Sequence, residues 1–178
     1  MKRLTIFLAG AACVFDLILP LRGQTTGNEA LSITLSAFCL MGVSGNPSTL
    51  TVAVPAQGGQ TPANPSDSGT YLRYTSTVAS GVTRKITAAW GGTDAAPAGS
   101  SLKLTADPSG GANQGASAGQ ITLSSTAQNI VTGIGGCATG TGATNGARLT
   151  YALSINDVTS LVASQNKAAT ITFTLTDS

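Results

Sequence analysis

Apolar and polar residues alternate with a period of two in several short stretches of this chain. The first runs from Ala30 to Leu40. Leu31, Ile33, Leu35, Ala37 and Cys39 fall on one parity, with Ser32, Thr34 and Ser36 between them. Successive side chains of a strand point to opposite sides, so this pattern predicts a strand with one apolar and one polar face. Phe38 and Leu40 lie on the nominally polar face, and burial on both sides is expected towards Cys39.

The same period recurs along the chain. Leu50, Val52 and Val54 alternate with Thr51 and Ala53 up to Pro55, after a turn over 42–47. Tyr71 to Val78 places Leu72, Tyr74, Ser76 and Val78 on one face, and Thr83 to Trp90 places Ile86, Ala88 and Trp90 together. The short link Ala79 to Val82 predicts a hairpin between these two. Further strands are expected around Leu102–Ala106, Ile121–Leu123, Ile130–Ile134 and Leu149–Ile155. The cleanest is the last, where Ala169, Ile171, Phe173 and Leu175 alternate with threonines 170, 172, 174 and 176. Asp157 is placed to cap one helical turn over 158–162. Residues 55–69, 91–99 and 107–119 are rich in Gly, Pro, Ser and Asn and read as solvated loops. Eight or nine strands without a long helix predict an all-β chain, an antiparallel β-sandwich, as one domain over 24–178.

Composition adds a compartment. Charged residues make up only 9% of the 178, against roughly 25% in ordinary soluble proteins. Residues 1–23 have the parts of a signal peptide: Lys2 and Arg3, then a mostly apolar run to Leu19. Asp16 and Pro20 argue against a stable membrane span. A lipid-bearing Cys13 is the alternative, without the usual preceding leucine. The net charge of +2 comes from this segment. The rest is neutral, with no basic patch and few aromatics, which argues against nucleic-acid binding. The expected location is secreted or cell-surface. Two cysteines then remain, Cys39 and Cys137. In an exported chain they predict one disulfide, worth about 4–5 kcal/mol in the chain-entropy picture for so long a loop. Two buried thiols are the other reading.

No enzyme chemistry stands out, and no cofactor is implied. Histidine is absent, which removes the commonest general base and zinc ligand. Gly115-Ala116-Ser117-Ala118-Gly119 matches a nucleophile elbow only formally, lacking a helix and a histidine partner. Gly133 to Ala138 matches a dinucleotide fingerprint, but the glycine-rich run after it cannot hold a helix. It reads instead as a flexible turn that lets Cys137 approach Cys39. The six acidic residues after position 23 form no calcium-loop pattern. Trp90, with Tyr71 and Tyr74, is the one candidate for stacking a sugar, although a core anchor is the plainer role for it.

Tyr71-Leu72-Arg73-Tyr74-Thr75-Ser76, Thr83 to Ala88, Pro97 to Ala106, Gln128 to Cys137 and Asn145 to Tyr151 resemble, as a pattern, a group of exported bacterial β-sandwich proteins. The strand leading into Cys39 and the alternating terminal strand also resemble pilin-like subunits of the chaperone–usher type, including the spore coat protein U family. That resemblance implies an incomplete immunoglobulin-like sandwich that is completed by the next subunit's N-terminal segment. It points to Leu31, Ile33 and Leu35 as the donor face, and to other copies and a periplasmic chaperone as partners. The chain departs from that family in its late second cysteine and in the short tail before Leu31. The expected function is a secreted structural or fibre subunit. The alternative is a monomeric carbohydrate- or ligand-binding module using the long loops.

Overall fold

The computed structural model describes residues 29–45, 49–91, 96–163 and 168–178. The expected signal peptide, Cys13, the start of the proposed donor segment at 24–28 and parts of the 42–47 turn and the 91–99 loop lie outside the described residues. Of the described residues, those up to Leu35 belong to one unit and those from Ser36 to another.

The larger unit is all-β, with antiparallel pairing throughout and no α-helix among the described residues. Its strands are β1 (Phe38–Ser44), β2 (Ser66–Thr77), β3 (Arg84–Gly91), β4 (Ser100–Asp107), β5 (Gln114–Ser117), β6 (Ile121–Thr122), β7 (Gln128–Ile134), β8 (Cys137–Ala138), β9 (Ala147–Ile155) and β10 (Thr170–Asp177). One sheet runs β1-β2-β9-β4-β6, with β8 also on β2, and the second runs β10-β3-β7-β5. Their apolar faces meet in one core. Leu72, Leu104 and Leu149 from the first sheet and Ile86, Ile130 and Ile134 from the second are fully buried. These are the residues that the period-two pattern puts on one parity, and fully burying each such side chain is worth about 1.5–3 kcal/mol.

The predicted capping turn is present. Val158–Ser160 form a single 3-10 turn, and the Asp157 carboxylate accepts from the Thr159 amide at 2.9 Å. Hydroxyls of Ser160 and Thr159 on that carboxylate hold its pKa below the ordinary value.

Four expectations are corrected. First, β2 and β3 are not a hairpin. They follow each other in sequence but lie in different sheets, so the link at 79–82 carries the chain from one layer to the other. Second, Leu50–Val54 is not a strand, and Val52 and Val54 are exposed. Alternation makes a strand only where a neighbour offers a ladder, and none of the described strands pairs there. Third, residues 107–119 are not all loop, because β5 adds Gln114–Ser117 to the second sheet against β7. Fourth, the first strand begins at Phe38, not Ala30. Phe38 pairs with Thr77, the last residue of β2, so the ladder ends there.

The disulfide is also not formed: Cys39 and Cys137 are free thiols. Cys39 pairs with Ser76 from the β1 side, and Cys137 pairs with the same Ser76 from the β8 side. The two cysteines therefore flank one strand. Two strand spacings separate them by about 9–10 Å, beyond the roughly 7 Å that a disulfide spans without backbone movement.

Candidate strand-pairing site

Two sheet margins and one charged residue define the part of the domain open to further pairing. β1 stands at the margin of the first sheet and β10 at the margin of the second. Arg84 joins them. Its alternation with Ile86 and Ala88 puts it on the core-facing side of β3, where it is only 7% exposed. Its Nε donates to Asp177 Oδ1 of β10 at 2.8 Å, and its Nη1 donates to the Phe38 carbonyl of β1 at 2.6 Å. The same Nη1 lies 3.5 Å from Ser76 Oγ. A buried guanidinium is tolerable only with its donors engaged, and here they tie the start of β1 to the end of β10. Asp177 is largely exposed, so the ion pair itself adds little and the hydrogen bonds carry the stabilisation.

Along β1, the core-facing parity holds Cys39, Met41 and Val43, which lie opposite Ser76, Tyr74 and Leu72. Only Met41 reaches the core, while Cys39 and Val43 remain exposed. Along β10, the core-facing parity holds Ile171, Phe173 and Leu175, opposite Trp90, Ala88 and Ile86. All three pack against the core and all three remain half-exposed.

The N-terminal unit has its own character. Residues 29–37 carry no strand pairing. Leu31, Ile33 and Leu35 are 78%, 81% and 79% exposed. Scattered exposed apolar residues are ordinary, but three on one parity of an unpaired stretch that is uncharged from Ala30 onwards form a strand face without a sheet.

The other candidates come out differently. Trp90 faces inward with Ile86 and Ala88 and packs against the core, its backbone N–H donating to the Ser124 carbonyl at 2.7 Å. Its indole Nε1 is buried, with no hydrogen-bond partner among the described residues. Trp90 as a whole is half-buried, and its packing on the core fits the role of an anchor. Tyr74 is buried too, its hydroxyl donating to the Gln114 carbonyl across the sandwich at 2.5 Å. Burial pushes the Cys137 thiol pKa up. Ser117 lies on β5, and its Oγ accepts from the Gly119 amide at 3.3 Å, without a helix or base beside it. Among the described residues no group of three His, Cys, Asp or Glu side chains is placed to hold a metal, and no helix is long and apolar enough to cross a membrane.

Sequence reasoning singled out Leu31, Ile33 and Leu35 but missed Arg84 and Asp177. The signal was present. Arg84 stands on the parity of Ile86 and Ala88, and Asp177 on that of Phe173 and Leu175. Opposite charges on the apolar parity of two neighbouring strands mark a cross-strand ion pair, here with only Arg84 buried.

Comparison of the chain with known protein families, with curated proteins and with solved structures finds no match.

Proposed function

We propose that this chain is an exported structural subunit whose copies join by strand addition, with the segment that ends before Phe38, residues 24–37 of one copy, pairing into another. The observation that carries the reading is the exposure of Leu31, Ile33 and Leu35 on one parity of a segment without a strand partner. The core cluster of the sandwich forms without them. In strand addition, main-chain hydrogen bonds supply affinity and alternate side chains supply the fit. Placing three such side chains into a partner removes about 1.5–3 kcal/mol worth of exposed apolar surface each. The signal-like residues 1–23, the near-neutral remainder and the Thr- and Ser-rich surface suit a protein at the cell surface. The incomplete immunoglobulin-like architecture of pilin-type subunits offers an analogy for such an assembly, with a periplasmic chaperone holding subunits before they join.

Deleting residues 24–36 tests the reading. The expected result is loss of multimers with the sandwich still folded, soluble or chaperone-bound. Light scattering of the intact mature chain that finds only monomers over a wide concentration range would rule the proposal out.

A further inference from the structure

We infer that the surface receiving Leu31, Ile33 and Leu35 is the outer margin of β10 in a second copy of this chain. This rests on the strand-addition reading above and adds the receiving edge to it.

Among the described residues the margins offer five choices, and four are poorly suited. β6 and β8 have two residues each and β5 has four, the last with Gly115 at positive φ in its middle. β1 has seven, interrupted by Gly42. The Phe38 carbonyl at its start is taken by Arg84. β10 is different. It pairs with β3 in unbroken register from Thr170↔Gly91 to Asp177↔Arg84, with no bulge. It contains no glycine, proline or lysine, and its one charge, Asp177, is engaged by Arg84.

Sheet proteins normally blunt a long edge with charge, proline, a bulge or a covering element. The described residues give β10 none of these. Its three core-facing side chains are also left half-exposed, as they would be beside a vacant strand position.

The occupant is written in the same chain. Residues 30–37 are uncharged and match β10 in length, and Leu31, Ile33 and Leu35 have the spacing of Ile171, Phe173 and Leu175. Laid along β10, they would extend the apolar face over the core. Ser32, Thr34 and Ser36 would extend the hydroxyl face formed by threonines 170, 172, 174 and 176. Both faces of the added strand are then matched, which a one-residue slip would reverse.

Cysteine cross-linking of the full-length chain tests this, in a Cys39→Ser/Cys137→Ser background. One preparation carries Ile33→Cys. The others carry a single cysteine in place of Ile171, Phe173 or Leu175 on β10, or of Met41 or Val43 on β1. Residues opposite each other on paired strands have Cβ atoms about 4.5–5.5 Å apart, close enough to be oxidised together. The expected result is an intermolecular disulfide between Ile33→Cys and a β10 position, at least tenfold above either β1 position. Thr34→Cys with Thr172→Cys or Thr174→Cys probes the same junction on the solvent face, where folding is undisturbed. Cross-links confined to β1, or multimers with no β10 cross-link, overturn the receiving edge and leave strand addition standing. An intact chain that stays monomeric and never cross-links overturns both.

Discussion

Two buried tyrosines make the stability of this domain sensitive to alkali. Tyr151, on β9 beside Asp67 of β2, is 7% exposed. Burial, with the Asp67 carboxylate adding to it, pushes its phenol up to about 12 from an ordinary 10.0. Tyr74 is displaced in the same direction, first by burial and then by Cys137. Below pH 10 the folded and unfolded chains both hold these protons, and stability is unaffected. Between pH 10 and 12 the unfolded chain releases them while the folded chain keeps them, so stability falls as pH rises. A displacement of that size corresponds to about 2–3 kcal/mol for Tyr151 by pH 12. Denaturant midpoints should therefore hold between pH 7 and 9 and fall steeply above 10. Tyr151→Phe should flatten the slope. A wild-type midpoint unchanged from pH 9 to 11.5, or a variant with the same slope, would contradict the assignment.

Among the elements, the entry to β9 depends on one glycine. Gly146 has φ of 100°, and a Cβ there would collide with the Leu72 carbonyl of β2. Leu72 pairs with Ala147, the next residue, so the collision falls where β9 joins β2. Gly146→Ala should cost about 1–3 kcal/mol from the backbone conformation alone, and more from displacing β2. Gly58→Ala, in open space at an ordinary φ, should stay within about 0.5 kcal/mol. Thermal unfolding of the two variants measures the contrast. Strand existence was legible wherever alternation coincided with a partner: Leu72 and Tyr74, Leu102 and Leu104, Leu149 and Tyr151 are all buried on the expected parity. Pairing was not legible. The 79–82 link looks like a hairpin turn because loop length alone does not say whether a chain folds back in its sheet or crosses to the other. Small residues hid β5, since Gly115, Ala116 and Ser117 carry no periodic apolar signal. The cysteine pairing failed because chain separation says nothing about Ser76 standing between the two thiols. In the candidate site, the shared parity of Leu31, Ile33 and Leu35 was legible from period two, whereas which strands stand at the sheet margins required the sheet order.

At the scale of the whole molecule, strand addition links stability to concentration. If each copy lends residues 30–37 to another and receives the same, the joined form binds native partners and not unfolded ones, so mass action stabilises it. Each tenfold rise in free partner above the dissociation constant adds about 1.4 kcal/mol. For a domain of this length that corresponds to a rise of roughly 3–6 °C in unfolding temperature. Substituting Leu31, Ile33 and Leu35 together by serine should abolish the dependence. It should do so without lowering the unfolding temperature of the dilute protein, because all three side chains stand in solvent and none belongs to the core cluster. The two halves of the expectation separate the possibilities. A triple variant that is less stable even when dilute would mean that the segment packs on its own sandwich. A wild-type unfolding temperature that is flat from micromolar to millimolar protein would mean that copies do not join. Only a slope in the wild type that vanishes in the variant, with both curves meeting at low concentration, fits a segment that is idle in the single copy and structural in the assembly.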